Sequence, residues 1–313
     1  MYNEEKYGDN PYLNVAARMK SSWMKYVFLF WILIWMHNFF LENKMLWIYG
    51  DVYSFSDIVS KMTDALFGMG RESFGVTLWF VPASVIATCI LGFVVTFSRK
   101  VHKATNNIYL KYLVQAVIVV ACAVAGYYFE DEQIYMHASM QVSLVVMPFL
   151  WGGYLLRTFQ VEFKKYLNVI LSVIFTVLIY IVSREHRLDL AMQWVYPMMH
   201  LFAFLGIYLS MYVAKVIQKL PRVNTLFVTY GRASFWIMFA HLVLVRLFDW
   251  TYINLFHKED FDKLYLVIKP AVFSKEFWPI YLVLGLGVSL LMFVGYEKCK
   301  AFVLKKCCIK KGK

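Results

Sequence analysis

The sequence predicts an all-α fold: a polytopic membrane bundle of about eight transmembrane helices, with both termini cytoplasmic. Three observations lead there. Of 313 residues, 61% are hydrophobic and 17% are charged, against about 45–50% apolar and about 25% charged in soluble domains. The apolar residues gather in runs of roughly 20, long enough at 1.5 Å per residue to cross a hydrocarbon core of about 30 Å. The runs are continuous rather than alternating, and in lipid a helix satisfies its own backbone.

Eight runs qualify, at Ser22–Leu41, Gly75–Ser98, Leu110–Phe129, Ala138–Leu156, Tyr166–Ser183, Gln193–Ile217, Ala233–Leu255 and Phe277–Tyr296. With the N-terminus inside, the inner segments hold 19 of the 32 Lys and Arg residues, the outer segments 9, and 4 fall within spans. This bias sets the orientation. The net charge of +12 is therefore a topology signal rather than a nucleic-acid footprint. Nothing resembling a linker, repeat or low-complexity tract divides the chain, which reads as a single membrane domain over residues 1–313 with a basic cytoplasmic tail over 297–313. The tail, AFVLKKCCIKKGK, suits the anionic inner leaflet of the cell membrane. The N-terminal segment lacks a short apolar core before a small-residue cleavage site and does not read as a signal peptide. The five cysteines have no metal-type spacing, and free thiols are expected.

Span one contains Lys25, placed to snorkel at its inner end, and His37, placed near the outer interface. The loop from Glu42 to Phe74 is the longest. Within it Tyr53–Gly68 reads as a short amphipathic surface helix with Phe55, Ile58, Met62, Ala65 and Leu66 on one side, and it could cover a site from outside. Span two opens with Trp79 and Phe80, suited to an aromatic belt, and Pro82 predicts a kink. Span four predicts a kink at Pro148 and close helix approach at Gly152 and Gly153. Span six carries Pro197 and a second intramembrane histidine, His200. Span seven, GRASFWIMFAHLVLVRLFDW, carries His241, Arg246 and Asp249. Polar groups inside a span face a bundle interior or wet cavity and are site candidates. Arg246 and Asp249 stand three apart and could simply neutralise each other. His241 has no opposite charge one turn away, so it is either a site residue or a buried histidine bonded to another helix. Gly285–Gly287 in the last span reads as a packing surface.

No GxxxxGK[ST], HExxH or GxSxG pattern occurs, and no span carries a ladder of acids or regular arginines. P-loop, zinc-protease, hydrolase-elbow, pump and voltage-sensor chemistries are not expected.

Four pieces in order carry a resemblance: ARMKSSWMKYVFLFW, LWFVPASVI, VMPFLWGGYLLR and YGRASFWIMFAHLVLV. They are similar to the basic-to-aromatic stretch, the LWFL-x-A, the P-F-x-x-x-G-Y-L-x-R and the G-x-x-S-x-x-I-x-x-x-H segments of the acyltransferase 3 family of integral membrane O-acyltransferases. Together they order about three quarters of the chain. The family usually has ten spans, and its catalytic histidine lies in the first. By this alignment the chain is N-terminally incomplete and begins after two spans. Lys25 and His37, with eleven residues between them, echo the missing motif only superficially, and its role is not carried onto His37.

The resemblance implies transfer of an acyl group, acetyl first, from acyl-CoA to a hydroxyl of a cell-surface glycan or similar acceptor. By motif position it implies a supporting catalytic role for His241 with Ser234, and substrate contacts for Trp79 and Arg157. Histidine titrates near neutral pH and suits a hydroxyl base. Arg99, Lys100, Lys103, Arg157, Lys164 and Lys165 could face CoA phosphates. No metal and no nucleic acid are expected; the bilayer is the constant partner. Two rival readings stand beside this one: an inactive or truncated remnant, and a transporter or flippase for a lipid-linked glycan, the latter suited by kinked spans.

Overall fold

The computed structural model describes residues 10–46, 51–132, 134, 140–159, 165–185, 198–257 and 275–311. Among them every regular element is helical. Six helices are long and apolar enough to cross a membrane. The elements are α1 (Pro11–Glu42), α2 (Phe55–Leu66), α3 (Phe80–Thr105), α4 (Ile108–Asp131), α5 (Met140–Val145), α6 (Met147–Thr158), α7 (Val169–Glu185), α8 (Met198–Ile217), α9 (Pro221–Phe256) and α10 (residues 278–311). The six are α1, α3, α4, α8, α9 and the first part of α10.

Two of the eight expected spans fall short. The fourth is broken into α5 and α6, and the fifth, α7, has 17 residues, fewer than the about 20 a bilayer usually requires. Pro197, the first residues of span six and Lys164 lie outside the described residues. Two helices carry π turns, Met19–Trp23 in α1 and Val283–Val288 in α10. At about 1.5 Å per residue, the 36 residues of α9 extend well beyond a bilayer core.

The chain packs as two compact units, 1–26 with 67–69 and 79–224, and 27–66 with 70–78 and 225–313. The first unit centres on Ala87, Leu91, Val94, Val95, Val119, Met147 and Tyr154. Local signals set its corners. Asn10 caps α1 through the Tyr12 amide, with Pro11 opening the helix. Asn106 adopts the left-handed conformation that ends α3, and Asn107 caps α4. A buried polar chain ties three helices: Gln115 donates to Ser98 Oγ at 2.8 Å, and Trp151 Nε1 donates to Gln115 Oε1 at 3.0 Å. Pro82 sits in the first turn of α3, where the missing N–H costs no helical bond. The predicted kink is thus a helix start, preceded by the 3-10 turn Ser73–Trp79.

Pro148 likewise lies in the opening turn of α6, and the chain breaks at Val146. There the Phe149 amide bonds Val146 O rather than Val145 O. His200 Nε2–H takes the released Val145 carbonyl at 2.9 Å, and Tyr127 OH donates to His200 Nδ1 at 3.2 Å. A carbonyl only accepts, which fixes this tautomer. His200 therefore caps a helix break, the bland outcome for an intramembrane histidine.

The second unit centres on Leu33, Phe40, Met45, Leu46 and Phe74, with Phe239, Val243 and Trp250 packed on them. Gly70 and Gly75 press on the Phe30 ring: a Cβ at either would come within 2.6 Å of it. Thr77 Oγ1 donates to Met238 O at 2.7 Å.

Candidate functional site

The site grows from the C-terminal end of α1. A helix ends with four carbonyls and no internal donors for them. Here Lys44 turns left-handed (φ 55°) after α1. Two side chains of α9 meet the carbonyls of that turn, Arg246 Nε to Met45 O at 3.0 Å and Trp250 Nε1 to Asn43 O at 2.6 Å. Arg246 and Asp249 are both fully buried, and the Tyr281 hydroxyl donates to Asp249 in a short bond. Phe248 and Tyr252 stack, and Phe277 and Tyr281 pack edge-on to them beside this cluster. Arg246 thus has structural work, holding the end of α1, while Asp249 ties α9 to Tyr281.

Within this frame α1 presents His37 and Asn38 to the loop that follows. Asn38 exchanges two bonds with the backbone of Tyr53, each 2.8 Å, as an added strand would. The clamp brings the Tyr53 ring flat against the His37 imidazole, centroids 3.5 Å apart and planes 6° apart. Lys61 Nζ sits 4.6 Å from the centroid of the Tyr53 ring, a cation–π distance. Ser54 and Asp57 form a capping box that starts α2: the Ser54 amide donates to Asp57 Oδ2 at 2.9 Å and the Asp57 amide to Ser54 Oγ at 3.3 Å. The Ser54 hydroxyl, donating to Asp57 Oδ2 at 2.7 Å, and then the Ser54 amide hold the Asp57 carboxyl below its usual range.

His37 is buried, and both ring nitrogens are engaged. Nδ1 lies 3.0 Å from Glu72 Oε2, and Nε2 lies 3.2 Å from Asp51 O. Because the Asp51 carbonyl can only accept, Nε2 carries a hydrogen. The Nδ1···Oε2 contact then holds one further proton, on the imidazole as an ion pair or on the carboxyl as a neutral pair. Glu72 is 6% exposed and His37 4%, so this proton is shared away from water. Glu72 Oε1 is buried without a hydrogen-bond partner among the described residues. Burial first, then the Glu72 charge, push the Tyr53 phenol above its ordinary range.

The residues singled out by motif are placed differently. Ser234 and His241 lie two turns apart on α9, about 10 Å along its axis. Ser234 is exposed, and half-buried His241 bonds its own helix, Nδ1 to Ile237 O at 2.8 Å. Gly285 of the α10 π turn lies against the His241 Cβ. Trp79 and Arg157 belong to the other unit and are exposed, Trp79 packing edge-on to Phe80 and Arg157 ending α6.

Sequence reasoning undervalued His37 and missed Glu72 and Tyr53. Their signal was present but diffuse: a histidine in a span with no charge one turn away, and a carboxylate just ahead of the next span. Among the described residues no three His, Cys, Asp or Glu side chains are placed to share a metal ion. No family model, curated protein or solved structure matches this chain.

Proposed function

We propose that the chain is an integral membrane O-acyltransferase of the cell membrane that moves an acyl group, acetyl first, from acyl-CoA to a hydroxyl of a cell-surface glycan or similar acceptor. The observation that supports it best is the buried His37–Glu72 pair. A hydroxyl becomes a nucleophile when a base takes its proton, and a histidine held by a carboxylate is a standard device for that. In the resting arrangement Asp51 O occupies Nε2. Displacing that loop carbonyl and releasing the Nε2 proton to the water that enters in its place would leave Nδ1–H on Glu72 and a lone pair on Nε2. The acceptor oxygen then attacks the thioester carbon as Nε2 takes its proton. The C–S bond breaks, and the departing thiolate receives the proton from the imidazolium. Glu72 orients the ring and offsets its charge.

The reading keeps eight spans with both termini inside, counting α5 with α6 and α7 as membrane segments. Arg99, Lys100, Lys103, Arg157 and Lys165 then face the compartment that holds CoA, and because His37 lies toward the opposite side the reading requires the pantetheine arm to carry the acyl thioester into the bundle as far as Nε2. His241 and Ser234 are supporting residues, Trp79 and Arg157 substrate contacts.

A second reading has one observation in its favour: both His37 nitrogens are already bonded, as in a purely structural clamp of an inactive relative. One experiment separates the two. Purified protein in nanodiscs receives labelled acetyl-CoA and an acceptor extract. Transfer by the wild type that His37→Ala and Glu72→Gln abolish supports acyl transfer. Transfer that survives His37→Ala removes this site, and His241→Ala without effect removes the supporting role. No transfer by the wild type favours the clamp.

A further inference from the structure

Helix α2 is clamped to α1 at two levels. Asn38 holds Tyr53 at its head, and Trp31 Nε1 donates to Met62 O at 3.0 Å near its tail. Asn38 and Trp31 are seven residues apart, about 10 Å along α1. Since α1 is long and apolar enough to span a membrane, α2 runs back beside its C-terminal half instead of standing clear beyond it.

The helix has three faces. Ile58 and Met62 are half-buried and Ala65 buried, toward the protein. Phe55, Val59 and Leu66 fall within about 40° of one another around the helix axis at 100° per residue. They are 72%, 48% and 41% exposed, and exposed Val52 and Phe67 flank them. Ser56, Asp57, Ser60, Thr63 and Asp64 form an exposed polar arc. At the same levels α1 itself turns Trp35 and Phe39 outward, as a lipid-facing helix does. An apolar stripe on a helix clamped beside such a surface, backed by a polar arc, is how a helix rests at the boundary of headgroups and acyl chains.

We infer that α2 is seated in the outer leaflet, with Phe55, Val59 and Leu66 against lipid acyl chains and Ser56, Ser60 and Asp64 toward headgroups and water. Seated there, it keeps the Tyr53 cover over His37 and Glu72. The inference rests on the membrane span of α1 and on the cytoplasmic N-terminus of the proposed topology, not on the acyl-transfer chemistry. Nitroxide labels at 55, 59 and 66, with 56, 60 and 63 as controls, are read one at a time in the full chain in nanodiscs, with all five cysteines replaced by alanine. Expected is loss of broadening by a water-soluble nickel chelate at 59 and 66, strong relaxation by oxygen there, and the reverse at 56 and 60. Nickel access at 59 equal to that at 60 overturns the inference in favour of a solvated loop helix. Loss of both collisions at 59 and 66 overturns it in favour of a second copy or another protein. With the cysteines untouched, Val59→Asp lowers the melting temperature in nanodiscs while Ser60→Asp does not. Equal melting of the two variants also overturns it.

Discussion

Breaking the His37–Glu72 bond is the sharpest perturbation of this molecule. The two groups are 3.0 Å apart and both are more than nine-tenths buried. A hydrogen bond with an ionised partner contributes about 1.5–3 kcal/mol, roughly twice a neutral one. Glu72→Gln keeps the shape, and its amide can still donate to Nδ1 when Nε2 carries the ring hydrogen. Its expected cost is therefore about 1 kcal/mol. His37→Ala also removes the Tyr53 stack and the Asp51 bond and opens a void, so about 3–5 kcal/mol is expected, as for other buried rings. The pair itself is isolated by a double-mutant cycle of His37→Ala and Glu72→Ala, read by tryptophan fluorescence during reversible denaturation in mixed micelles. The coupling should be about 1.5–3 kcal/mol. If the two costs add within about 0.5 kcal/mol, the limit for independent sites, the side chains do not share a proton and the site falls with them.

Three further outcomes follow from other contacts. In Gly126→Ala the new Cβ would stand 2.7 Å from Gln141 O and 2.9 Å from Val145 N, both backbone atoms of another segment; about 1–3 kcal/mol of stability is lost, and melting unchanged from wild type would refute the close approach. Arg246→Met keeps volume but strips Met45 O of its donor, so about 1.5–3 kcal/mol should disappear from the same denaturation curve. Tyr53 has a raised folded pKa, so its contribution is fully present below the ordinary tyrosine value of about 10 and is lost as pH rises through the folded value. Stability should thus decline on the alkaline side in wild type and decline less in Tyr53→Phe, and parallel curves for the two would show that Tyr53 is not buried by the clamp.

Much of the fold is written locally. Long apolar runs make helices regardless of their neighbours, because backbone groups in hydrocarbon have only one another to bond. Asn10 with Pro11, Asn106 with Asn107, and Ser54 with Asp57 mark helix ends by bonds spanning a few residues. The amphipathic helix read over Tyr53–Gly68 occurs at Phe55–Leu66. Prolines were harder to read. Pro82 and Pro148 indicate kinks only if the helix starts well before them, and both instead open helices.

The site depended on the return of the chain. His37 on its own helix has no partner one turn away, and the sequence shows an interfacial histidine and nothing more. Its partners come from 35 residues on, at Glu72, and 14 residues on, at Asp51. Whether such groups meet depends on how Asn38 and Trp31 fasten the loop to α1, a matter of side-chain bonds across the fold that no local pattern encodes. The same is true of Arg246, whose nearness to Asp249 is visible in sequence while its hold on Met45, 201 residues away, is not. Composition and periodicity determined that this chain is helical and membrane-seeking, since burial of apolar surface is additive along the chain. Only the tertiary structure decided which of its histidines shares a buried proton, since that depends on where distant atoms come to rest.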